Sequence, residues 1–188
     1  MVVPKADGES GRRPALGALD DGRLRWVDPL HGIPLARYFD RRLSEELSRS
    51  ARFTRPTSIV LVQVGFDRGL VGLAQFNAGH ALGIMVASII RSTCREFDVV
   101  CRRDEDELGI ILPETGQAGA AAFTTRIAEM ISRALSQCGA EVGGKTPTLS
   151  FGTATSRRGE QTPFELVLAA EEALLRSRRR CAGVEKAA

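Results

Sequence analysis

Histidine, cysteine and aromatic residues are scarce in this sequence, and each scarcity removes a class of function. The two histidines, His31 and His80, lie far apart and share no metal-ligand spacing. The four cysteines, Cys94, Cys101, Cys138 and Cys181, form no CxxC pair, so no zinc-binding pattern is present. No secretory leader is evident, and reduced thiols in a cytoplasmic protein are the expectation. Aromatics make up 5% of the chain, with a single tryptophan, which is little for a base-stacking surface. A net charge of +3, with basic residues scattered except near the C-terminal end, gives no reason to expect nucleic acid as a partner. Nor is there a membrane-spanning run: the longest apolar stretch, Ala81 to Ile90, is interrupted by Gly83 and Ser88.

What is present suits one globular domain. The chain has 188 residues, 43% hydrophobic and 26% charged, enough for one sizeable core. Residues 1–27, rich in Gly, Arg, Asp and Pro, read as a flexible tail that gains order near Leu24 and Trp26. The domain is expected over 28–184, with 185–188 as a C-terminal tail. A helix is expected from Pro34 until Arg55-Pro56 breaks it, and Ser58 to Val64 is a β-branched run suited to a buried central strand. The stretch 69–77 reads as a weak helix or loop, because its glycines oppose its helical spacing, and 80–94 as a stronger helix. Asp98 to Arg102 and Leu108 to Leu112 read as two strands of a hairpin. Gln117 to Gln137 reads as a helix with Ala121, Ala122, Ile127, Met130, Ile131 and Leu135 inward. A strand over 148–154 and a helix over 163–179, capped by Thr162, complete the order α-β-α-β-β-α-β-α. This pattern predicts an α/β fold in which helices flank a mostly antiparallel sheet.

The tip of the expected hairpin is Cys-Arg-Arg-Asp104-Glu105-Asp106-Glu107-Leu108. Four adjacent carboxylates suit either a metal or phosphate site or a solvated turn. Their flanks carry a resemblance. Asp28-Pro-Leu-His-Gly-Ile-Pro34 with Arg37-Tyr38-Phe39, Gly79-His80-Ala-Leu-Gly83, Asp98 to Pro113, Leu149 to Ala154 and Ala170 to Leu174 occur in one order over one domain. Together they resemble the GGDEF (diguanylate cyclase) family, whose blocks read DxLTGLxNRRxF, GHxxGD, DVVxRYGGDEFxxxLP, SIGVA and ADxAL. The resemblance implies a nucleotidyl cyclase-like sheet on a ferredoxin-like βααββαβ core.

Departures from the family pattern cluster where it handles substrate. Its two glycines, which admit a triphosphate to the hairpin backbone, are here Asp104 and Glu105. Like charges about 4 Å apart oppose each other by roughly 1–4 kcal/mol. A family metal-binding carboxylate falls at Gln63, and the guanine-recognising Asp of GHxxGD at Ile84. The register around 66–76 is open, and with it any nucleotide contact by Asn77. Asp106 and Glu107 match the family's metal and transition-state carboxylates, leaving Asp104, Glu105, Asp106 and Glu107 as a remnant site. Catalysis is therefore not expected, and no magnesium or other cofactor either.

Another family feature is retained. Arg95-Glu-Phe-Asp98 is an RxxD motif separated from the acidic tip by Val99 to Arg103. The resemblance makes it the inhibitory site, whose ligand is cyclic di-GMP. An arginine fork suits guanine O6 and N7, and a carboxylate accepts from the guanine N1 and N2 donors. Arg126 falls where the family has a further arginine on the next helix. The plain alternative is an exposed Arg95–Asp98 ion pair of little energetic weight. The run Arg176 to Arg180 reads as cations complementing the helix dipole in a last turn. The expectation is a catalytically inactive cyclic di-GMP receptor that signals through a protein partner and is open to ligand-bridged dimerisation. Alternatives are a nucleotide-independent interaction scaffold and a weakly active cyclase.

Overall fold

The central strand is apolar on both faces, and the layers follow from it. The computed structural model describes residue 27 and residues 32–66, 73–138, 147–157 and 161–184. The elements are α1 (Ala36–Phe53), β1 (Ser58–Phe66), α2 (Leu73–Thr93), β2 (Val99–Arg102), β3 (Glu107–Leu112), α3 (Gln117–Cys138), β4 (Pro147–Thr155) and α4 (Pro163–Val184). The sheet runs β2-β3-β1-β4 with every neighbouring pair antiparallel, the ferredoxin-like order. Alternation along β1 sends Val60, Val62 and Val64 into one core, with Val86 and Ile90 of α2 and Ile127 and Ile131 of α3. Ile59 and Leu61 enter a second core, with Phe39 and Leu43 of α1 and Leu166 and Leu174 of α4.

Several expected details shift. Between β1 and the hairpin the described residues hold one helix, α2, that begins ahead of the stronger segment expected from His80. α1 starts two residues after Pro34, because the Pro34 carbonyl accepts the Arg102 amide at 2.7 Å across the edge of β2. A parallel bridge between Leu35 and Arg102 adds to this cover of the sheet edge. On α3 the inward stripe is Ala120, Phe123, Ile127, Ile131 and Leu135, while Ala121, Ala122 and Met130 are exposed. Phe123 sets that phase, since a one-residue step turns a helix by about 100°. α4 runs on to Val184, so the arginines from Arg176 to Arg180 lie before its last turn rather than in it. Trp26, the N-terminal tail and the C-terminal tail lie outside the described residues, apart from Val27, which bridges Pro34.

Thr162 does cap α4. Its amide donates to Glu165 Oε2 at 2.9 Å and its hydroxyl accepts from the Glu165 amide at 3.3 Å, a reciprocal capping box. β4 meets this helix closely at Gly152. A Cβ there would stand 2.2 Å from the Ala170 carbonyl oxygen and 2.6 Å from the Leu174 amide nitrogen. Both are backbone atoms and have no room to yield. Gly152→Ala is therefore expected to cost about 3 kcal/mol by overpacking. Chemical denaturation checks this, and an unchanged midpoint would contradict the close approach.

Candidate functional site

The residues singled out in the sequence fall at opposite ends of β2. At one end, β2 and β3 form the hairpin, with Arg102 opposite Leu108. The Arg103 and Asp104 amides both donate to the Glu107 carbonyl, at 2.9 and 3.2 Å. The Glu105 amide donates to Asp104 Oδ1 at 2.8 Å. Arg102 Nε donates to the Asp104 carbonyl at 3.1 Å and Arg102 Nη2 to the Glu105 carbonyl at 3.3 Å. The amides where the family has glycines are thus engaged within the turn, one of them by a carboxylate. That is the opposite of an open phosphate cradle.

The four carboxylates have different surroundings. Asp104, Glu105 and Asp106 are exposed, whereas Glu107 is partly buried on the α1/α4 face of the sheet. Glu107 Oε1 accepts from Arg103 Nη1 at 2.7 Å, and Arg103 Nη2 reaches Glu171 Oε1 on α4 at 3.0 Å. Burial pushes the Glu107 carboxyl above its ordinary range, Arg103 opposes that rise, and Glu171, Asp106 and Asp104 add to it. Gln63, opposite Glu107 in the sheet, donates from Nε2 to Asp106 Oδ2 at 2.8 Å, and its Oε1 is buried without a hydrogen-bond partner.

These side chains do not fit magnesium. A hard cation needs several free oxygen donors. Here one carboxylate is held by a guanidinium, the next accepts from an amide, and the third position is that amide. Among the described residues no three His, Cys, Asp or Glu side chains group so as to hold a metal. Ile84, at the expected base-recognition position, is exposed on α2. The Asn77 side chain lies outside the described residues.

At the other end of β2, α2 gives way to a tight turn. The Asp98 amide donates to the Arg95 carbonyl at 3.1 Å, and the Arg95 amide donates to Asp98 Oδ2 at 2.7 Å. Asp98 therefore fastens its own turn through backbone. Burial raises the Asp98 carboxyl above its ordinary range, while the Arg95 amide and the Arg95 and Arg126 charges pull it down. Burial and the Asp98 charge push the neighbouring Cys94 thiol up to about 12, with Arg126 and Arg91 opposing. Arg126 stands over Phe123, 5.5 Å from the ring centroid, and its Nη2 lies 3.5 Å from the Thr93 carbonyl. The three residues expected to bind ligand thus meet around one turn.

The structure adds residues that the sequence reading missed. A groove of about 440 Å³ runs between this turn and α1, lined by Arg91, Arg95, Glu96, Phe97 and Asp98 on one side and Arg42, Glu46 and Arg49 on the other. Arg126 is outside this lining and approaches Asp98 from the α3 side. Glu46 is 4% exposed and pairs with Arg42 at 3.0 Å and Arg49 at 3.5 Å. Only the fold brings α1 here, but Phe97, an aromatic in a polar turn and 72% exposed, was a signal available in the sequence.

Comparison with known proteins agrees with the fold. The structure is similar to that of the diguanylate cyclase SiaD in complex with its activator SiaC from Pseudomonas aeruginosa, with 28% identity and a TM-score of 0.63. That match covers 82% of this chain and 58% of the SiaD chain, so this chain spans little more than half of that relative. The GGDEF domain of DgcB from Caulobacter crescentus, in complex with c-di-GMP, is 18% identical with a TM-score of 0.63 and covers 93% and 94% of the two chains. The FimX GGDEF domain from Pseudomonas aeruginosa is 15% identical at the same TM-score, covering 84% and 96%. No curated protein matches the chain. The family described as "Diguanylate cyclase, GGDEF domain" matches residues 25–182. Sheet order, hairpin and family match lead to one conclusion: this chain belongs to the GGDEF domain family.

Proposed function

We propose that this GGDEF domain is a non-catalytic receptor that binds cyclic di-GMP at Arg95, Asp98 and Arg126 and signals through a protein partner. The observation that carries the reading is the arginine-lined groove beside the Arg95–Asp98 turn. Its cations suit a ligand with two phosphate charges, and Asp98 offers an acceptor for guanine N–H donors. Phe97 at the rim offers a face on which a base stacks. That DgcB was solved with c-di-GMP and SiaD with its activator supports a ligand and a partner of these kinds. Self-satisfied turn amides, the Gln63–Asp106 hydrogen bond and the Arg103–Glu107 pair support loss of cyclase activity. Incubation with GTP and Mg²⁺ is expected to yield no cyclic product, and chromatography detecting one would overturn that part.

Titration calorimetry tests binding. Wild type is expected to bind cyclic di-GMP in the micromolar range, and the reading fails if no heat appears at tens of micromolar ligand. Arg95→Ala should weaken binding at least tenfold, about 1.4 kcal/mol, as loss of a charge-assisted hydrogen bond does. Phe97→Ala should weaken it by about 1 kcal/mol, with Phe97→Tyr close to wild type.

The pH dependence follows from Asp98. Its free carboxyl is raised by burial, and guanine donors favour the charged form. Affinity should therefore be full well above that raised value and fall as pH drops through it, at higher pH than for an ordinary aspartate. Asp98→Asn should remove this dependence, which titrations over a range of pH measure.

A second reading, a nucleotide-independent scaffold, is favoured by one observation. Phe164, Leu168 and Leu175 on α4 are 73%, 44% and 50% exposed and share one helix face. Partner capture that survives Arg95→Ala but is lost in Phe164→Asp would favour that reading over the receptor.

A further inference from the structure

We propose that Arg103 is the resident cation of the hairpin, its guanidinium holding Glu107 and Glu171 together where family members with the full motif hold a divalent ion. This stands independently of ligand binding at Arg95. One arginine fork bridges two carboxylates from different elements, Glu107 on β3 at 2.7 Å and Glu171 on α4 at 3.0 Å. Joining two carboxylates from separate elements is the geometric task a bound metal performs. The family pattern has tyrosine at this position, where this chain has arginine.

The seat of Arg103 is built in several parts. Its side chain is 16% exposed and that of Glu107 18%, so neither is a solvent-screened surface partner. The guanidinium carbon stands 5.4 Å from the centre of the Phe39 ring on α1. Gly109 leaves the room: a Cβ there would lie 2.8 Å from Arg103 Cδ and 2.8 Å from Phe39 Cε2. Backbone closes the arrangement, with the Arg103 amide donating to the Glu107 carbonyl at 2.9 Å. With Gln63 Nε2 occupying Asp106, the acids where the resemblance places metal ligands already have donors of their own. Glu107 is a half-buried carboxylate that gains from a counter-charge, and this chain supplies one covalently.

The test is thermal unfolding of the full chain with and without millimolar Mn²⁺. Wild type should melt at one temperature in both conditions. Arg103→Met keeps the apolar stem and removes the charge, and it should melt lower; with Gln63→Asp added, which supplies the missing carboxylate, Mn²⁺ at about a hundredfold over its Kd should raise the Tm by about 5 °C. An equal Mn²⁺ shift in wild type, or none in the double variant, overturns the proposal. If the double variant does not fold, Gln63→Asp alone decides: it adds the carboxylate and keeps Arg103. No Mn²⁺ shift is expected there, and a shift in that variant overturns the proposal.

Discussion

Burial of β1 on both faces is the constraint from which the rest follows. A strand with valines toward one helix pair and isoleucine and leucine toward the other leaves no side for polar function along most of its length. Charged groups are displaced to the strand ends and to the hairpin beside it. The acidic tip and the Arg95–Asp98 turn accordingly lie at opposite ends of β2, held by the same two cores. The buried residues of the two cores lie outside these turns, so fold and site chemistry rest on different residues.

The two ends differ in what holds their acids. In the hairpin the donors are local: Asp104 takes an amide, Gln63 serves Asp106, and Arg103 serves Glu107 and Glu171. At the other end Asp98 gives one oxygen to its own turn while the charges of Arg95 and Arg126 act on it. The groove beside it carries four arginines, Arg42, Arg49, Arg91 and Arg95, against Glu46, Glu96 and Asp98.

Much of the fold was legible because periodicity reports burial directly. The run from Ser58 to Val64, the hairpin strands and the Thr162 cap all fall where the sequence puts them. The phase of α3 was misread because Ala121, Ala122 and Met130 are apolar yet exposed, and hydrophobicity alone does not distinguish adjacent stripes on an alanine-rich helix. Pro34 was misread as a helix start because its partner, the Arg102 amide, lies far along the chain. In the candidate site, the family pattern named Arg95, Asp98, Arg126 and the acidic tip, and the fold places the first three about one turn and the tip at the hairpin. Arg103 was not, since its role depends on Phe39, Gly109 and Glu171, which only folding assembles. Arg42 and Arg49 were hidden for the same reason.

One helix takes part at both ends. α1 places Phe39 beneath the guanidinium of Arg103, and its later turns place Arg42 and Arg49 along the groove. Phe39 and Leu43 are fully buried between these points, so α1 does not bend freely there. The groove and the seat of the hairpin arginine therefore share one wall, a helix fixed between them by the second core.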